Sequence, residues 1–122
     1  MAEKLTSRQQ AQVAVLQSLP AKFAQMHRLI EEMAGARADI SVVRRLCRLL
    51  DEGKGATSGV GLSAMTQTMG TMGMLARRTG GETMKVRGLR EGLASLKINF
   101  DGALRAAKTP MAPNAEDSPA AT

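Results

Sequence analysis

Apolar residues recur in three stretches of the chain at alternating spacings of three and four. Leu16, Leu19, Phe23, Met26, Ile30 and Met33 form the first series. Leu62, Met65, Met69, Met72 and Ala76 form the second, and Val86, Leu89, Leu93, Leu96, Phe100 and Ala103 the third. Such alternation keeps one narrow apolar seam along a helix, the pattern by which helices pack side by side. No segment alternates with period two for long enough to suggest a strand. The expected fold is all-α: three to four helices with heptad-like seams, arranged as a hairpin, a bundle or a coiled-coil-like assembly.

The boundaries follow from capping and breaking residues. Thr6 and Ser7 each stand three residues before a glutamine, Gln9 or Gln10, which gives two overlapping capping-box signals for a helix start. That helix is predicted to run to Ala34, with Gly35 ending it in the left-handed conformation. Pro20 lies inside it. The seam keeps its register through the proline, so a kink is expected rather than a fresh start capped by Ser18. Asp39 or Ser41 is predicted to cap a second helix ending near Glu52, with Val42, Val43, Leu46, Cys47 and Leu50 on one face and Arg44, Arg45 and Arg48 on the other. The glycine-rich stretch 53–61 reads as a flexible connector. A third helix is expected over about 62–78, closed by Gly80-Gly81, and a fourth over about 83–107, before Pro110.

At 1.5 Å per residue the first and fourth helices come to about 40 Å, the third to roughly 25 Å and the second to about 20 Å. Two short helices cannot cover two long ones, so part of each long seam is expected to lack an in-chain partner and to serve as an interface. Gly70, Gly73, Gly88 and Gly92 interrupt the third and fourth helices at about 1 kcal/mol each relative to alanine, while allowing close backbone approach. These helices are expected to depend on packing, leaving the isolated chain marginally stable or self-associating.

Composition changes that picture in three respects. With 2% aromatic residues, no Tyr or Trp and nine methionines, the core must be aliphatic and adaptable. Residues 108–122 hold three of the four prolines and no apolar period, so the folded domain is placed at 1–107 and the remainder is expected to be a disordered tail, in which Thr109-Pro110 and Ser118-Pro119 are accessible. The formal charge is +6. Two of the eleven acids, Glu116 and Asp117, fall in that tail, so residues 1–108 set all seventeen cations against nine acids. This basicity attracts acidic proteins, phosphate backbones or anionic lipid without choosing among them.

Catalytic chemistry is not in evidence. His27 is the single histidine and no Cys/Asp/Glu cluster accompanies it at ligand spacing, so neither a metal nor a cofactor is expected. Cys47, the single cysteine, reads as a small apolar packing residue and fits a reducing compartment. The 53–58 segment offers glycine, lysine and hydroxyls but misses the spacing of a phosphate-binding loop. No apolar run approaches the roughly 20 residues of a membrane span and the N-terminus lacks an apolar signal segment, which places the protein in cytoplasm or nucleus.

Binding therefore carries the functional expectation. With Val86 and Leu89 at heptad positions a and d, Lys85 falls at g and Arg90 and Lys97 at e. The corresponding positions of the first helix (Pro20, Lys22, His27, Leu29, Ala34) and of the third (Thr66, Thr68, Gly73, Leu75) supply no carboxylate. The basic rim is thus predicted to be unmatched within the chain. The first reading is a non-enzymatic helical subunit or adaptor that docks acidic helical segments of other proteins, or a second copy of itself. In it Leu89, Leu93, Leu96 and Phe100 are buried against the partner, Lys85, Arg90 and Lys97 select it, and Met65, Met69 and Met72 form an adaptable face. The second reading is non-specific nucleic-acid binding through Arg77, Arg78, Lys85, Arg87 and Arg90 around the Gly80-Gly81 turn.

Overall fold

The structure is a computed structural model that describes residues 5–35, 40–78 and 80–110. The described residues form four helices and no strand: α1 (Ser7–Ala34), α2 (Ile40–Gly59), α3 (Ser63–Arg77) and α4 (Glu82–Lys108). Each helix packs on its neighbours in sequence, and α4 returns to pack on α1, so the four close a ring around one core. Successive helices are antiparallel: Gln12 near the start of α1 reaches the Val60 carbonyl just past the end of α2, and Gln9 reaches carbonyls at the end of α4. The all-α bundle is the fold that the three seams predict. The proposed tail, including Ser118, lies almost entirely outside the described residues.

Local sequence explains the ends of the helices. Thr6 caps α1 with the reciprocal box: its hydroxyl accepts from the Gln9 N–H at 3.0 Å, and Gln9 Oε1 accepts from the Thr6 N–H at 2.9 Å. Buried Gln9 also donates from Nε2 to the carbonyls of Thr109, at 2.7 Å, and Ala106, at 3.3 Å. One glutamine therefore closes the first turn of α1 and bonds two carbonyls at the end of α4, that of Thr109 and that of Ala106, which also accepts from the Thr109 N–H. α1 passes through exposed Pro20 as one element, and Ser18 caps no new start but donates to the Val15 carbonyl. Gly35 ends α1 in an extended conformation, φ −81° and ψ −170°, rather than the left-handed one expected. Left-handed glycines occur instead at Gly61, Gly80 and Gly81, in the two tight turns. Of the two caps proposed for α2, Asp39 lies outside the described residues and Ser41 sits within the helix.

The stretch 53–61 is mostly helix, not connector. α2 continues to Gly59, leaving only residues 60–62 as the turn into α3. The reason is tertiary. A Cβ on Gly53 would stand 2.5 Å from Met69 Sδ, so the missing side chain lets α2 and α3 approach. Buried Thr57 then bonds Thr66 of α3 at 2.8 Å and back-bonds the Gly53 carbonyl at 2.9 Å. α3 and α4 use the same device: Cβ atoms on Gly88 and Gly92 would stand 2.5 Å from Leu75 Cδ2 and 2.6 Å from Met72 Cγ.

The long seams are not left open. Leu89, Leu93 and Leu96 of α4 and Met65, Met69 and Met72 of α3 are buried within the chain's own core, with Leu16, Leu19, Met26, Ile30, Leu46 and Leu50. Phe100 is half-buried, edge-on to buried Phe23 with ring centroids 5.6 Å apart. An extended α2 supplies the cover that the shorter predicted helix could not. These seven residues therefore hold the fold together and are not a free docking stripe.

Candidate functional site

The three proposed partner-selecting cations have separate fates. Arg90 is paired in the chain: its Nε and Nη2 donate to the two carboxylate oxygens of Glu31 at 2.8 and 2.7 Å. This fork holds the Glu31 carboxyl below its ordinary range and raises the guanidinium, each chiefly through the shared hydrogen bonds. Lys85 is buried, with its ammonium 3.6 Å from Glu82 one turn back. Lys97 is exposed and has no ion-pair partner among the described residues. The expected unmatched rim is thus corrected at two of its three positions. The e/g rule describes helices that meet one partner. In a four-helix ring each helix meets two, so Glu31, one position past the seam residue Ile30, also faces a neighbour.

The structure instead places a cationic groove at one end of the bundle. α2 has 20 residues and α3 has 15, and the short 60–62 turn pins one end of α2 to one end of α3. The excess of five residues, about 7.5 Å of helix, falls at the α2 N-terminus, where α3 has already ended. A groove of about 1040 Å³ opens there between α2, the last turn of α3 and the first turn of α4. Ile40, Val43, Cys47 and Ala76 contribute its apolar lining. Arg44, Arg48, Arg77, Arg78 and Lys85 supply its cations, against the acids Asp51 and Glu82.

Those acids are already engaged. Asp51 bonds Arg77 at 3.1 Å and Glu82 pairs with Lys85. Arg44, Arg48 and Arg78 are exposed and have no ion-pair partner among the described residues. Arg48 also lines a cleft of about 330 Å³ between α1 and α2, with Arg28, Arg45 and Glu32, so the basic surface continues around α2. Cys47 is buried at the base of the groove. Burial pushes its thiol upward against the opposing pull of Arg77, which keeps it protonated at neutral pH and poorly nucleophilic.

The five proposed nucleic-acid contacts divide accordingly. Arg77, Arg78 and Lys85 line the groove, Arg87 is exposed on α4, and Arg90 is committed to Glu31. Sequence reasoning put Arg44 and Arg48 on the polar face of the second helix without bringing them to this site. Their spacing of four, one helical turn, was the available signal, but only the true length of α2 sets them opposite Arg77 and Arg78. His27 is exposed, and the described residues contain no group of three His, Cys, Asp or Glu side chains suited to a metal ion. No described helix is long and apolar enough to cross a membrane. Comparison with protein-family models, with curated proteins and with solved structures returns no match to this chain.

Proposed function

We propose that the protein is a non-enzymatic helical subunit or adaptor of the cytoplasm or nucleus, which binds a partner protein through the groove end of the bundle. The observation that carries this reading is the combination of an apolar floor with three arginines that have no ion-pair partner among the described residues. Internally paired cations would add little to recognition; unpaired ones around a partly desolvated floor select a complementary surface and speed encounter with it. The seam residues act indirectly, by holding α2, α3 and α4 in the register that opens the groove.

Nucleic-acid binding is a second reading, favoured by the run of Arg28, Arg45, Arg48, Arg44 and Arg78 around α2. Phosphate contacts do not need an apolar floor, and both phenylalanines face each other in the bundle rather than offering stacking surfaces. The test is site-specific photocrosslinking in cells of the native source, from Ile40 at the groove and from Ile98 on α4, both exposed. Crosslinks to a defined protein support the adaptor reading. Crosslinks to nucleic acid alone, with binding to unrelated sequences that falls steeply with salt, refute it.

A further inference from the structure

We infer that the occupant of the groove is an acidic amphipathic helix of a partner protein, seated in the line of α3 and completing the row that α3 leaves short. This rests on the adaptor reading and specifies its ligand. α2 and α4 both run on past the end of α3, so the groove has a helical wall on each side and the end of α3 at its head. A helix is the element whose apolar stripe fits such a trough while its flanks reach both walls.

The charges define those flanks. Arg44 and Arg48 lie one turn apart on the α2 wall, and Arg78 stands at the α3 end. Carboxylates spaced one turn apart on the incoming helix would meet Arg44 and Arg48 in register. Apolar contact is also on offer outside the floor. Ile40 is 67% exposed and lines the groove, while Met84 is 68% exposed and lines the adjoining cleft with Arg78 and Gly80. Two of the four large exposed apolar side chains among the described residues thus line spaces that Arg78 also lines.

The chain's own acidic tail cannot be this occupant. The groove lies at the N-terminal end of α4, and the tail leaves from its C-terminal end, some 40 Å away along a 27-residue helix. Glu116 and Asp117 follow Thr109 by seven and eight residues, a reach of at most about 29 Å. The tail therefore falls short.

The test is fluorescence anisotropy with the full chain and a labelled helical peptide of about 18 residues, long enough to hold a helix. The peptide carries leucines at 3-4 spacing flanked by glutamates; a second version replaces each glutamate with glutamine. The protein variants are Arg44→Glu with Arg48→Glu, and Arg105→Glu with Lys108→Glu as a charge-matched pair on exposed positions of α4. Circular dichroism verifies that each remains helical. The expected result is saturable binding of the glutamate peptide, weakened about tenfold or more by the groove reversal and by the glutamine peptide, and changed less than about twofold by the α4 reversal. Equal loss in both variants, equal affinity for both peptides, or no binding to the wild-type chain overturns the inference. So does a DNA duplex or an anionic phospholipid vesicle that binds through Arg44 and Arg48 more tightly than the peptide, or a dimer that the groove reversal dissociates. Protein crosslinks from Ile40 together with equal affinity for the two peptides would leave the adaptor reading standing and remove this one. Crosslinks to no protein from either position would remove both.

Discussion

Whether 53–59 is helix or connector can be decided by two alanines placed two residues apart. Gly53 and Gly55 both lie inside α2 with ordinary negative φ, so each Gly→Ala change gains the helix-propensity difference of about 0.8–1 kcal/mol. At Gly55 nothing lies within 4 Å of the new methyl group and the position is exposed, so the gain stands alone. For a domain of this size that corresponds to a rise in Tm of about 4–8 °C. At Gly53 the new methyl would sit 2.5 Å from Met69 Sδ and 3.2 Å from its Cε, well inside the roughly 3.5–4.0 Å of a normal contact. Met69 is only 1% exposed, so the thioether must shift by about 1 Å within packed surroundings. Overpacking of that kind costs about 1–3 kcal/mol. Gly53→Ala is therefore expected to be neutral to about 2 kcal/mol destabilising, and Gly53→Val worse.

The assay is urea unfolding followed by far-UV circular dichroism on each variant. A third background separates contact from propensity: in Met69→Ala the space above Gly53 is vacated, and Gly53→Ala should then recover most of the gain seen at Gly55. Equal effects of Gly53→Ala and Gly55→Ala in the wild-type background would refute the close approach of α2 and α3. A destabilising Gly55→Ala would refute the helical extension itself, and with it the length difference that opens the groove.

Further outcomes follow from the same geometry. Leu93→Asp puts a charge where the side chain is 4% exposed, at a cost of several kcal/mol out of about 5–15 available, and should unfold the isolated chain; Arg87→Asp on exposed surface should leave its helical signal unchanged. Gln9→Ala leaves the Gln9 N–H on the Thr6 hydroxyl but removes the reciprocal Thr6 N–H bond and the two bonds to the Ala106 and Thr109 carbonyls, and should cost about 1–2 kcal/mol, with hydrogen exchange accelerating at 106–109 as well as at 6–9. The Glu31 carboxyl is held below its ordinary 4.5 by Arg90, so its contribution is complete above that pH and is lost as pH falls through the depressed value. Arg90→Gln should therefore destabilise at neutral pH and converge with wild type in acid; a constant offset down to the lowest pH would show that the guanidinium acts by packing instead.

The first turn of α1 was legible in the sequence because the capping box is local: Thr6 and Gln9 satisfy each other without reference to the rest of the chain. The seams were legible for a related reason, since period and burial are two views of one face. What the sequence did not disclose depends on two helices at once. Gly53 and Gly55 look alike in the chain, and only Met69 above one of them distinguishes a packing glycine from a propensity cost. Gln9 reaching α4, and Glu31 reaching Arg90, both cross from one helix to another that the sequence places far away.

The misplaced end of the second helix had the largest consequence, because it inverted a length comparison. Ended near Glu52, that helix is shorter than the third, the long seams lack cover, and the partner must be sought along the apolar stripe. Carried to Gly59, it is five residues longer than α3, which reverses both conclusions together. The extra turns cover the seams, so the leucines and methionines belong to the core. They also fix the register that leaves residues 40–44 running past α3, so that Arg44, with Cys47 and Arg48 one turn further in, lines the groove where cations without a partner among the described residues gather. The same residues that close the bundle thus define where it remains open. A binding surface created by unequal helix lengths has no motif of its own, and becomes visible only when the turn that aligns the helices is fixed.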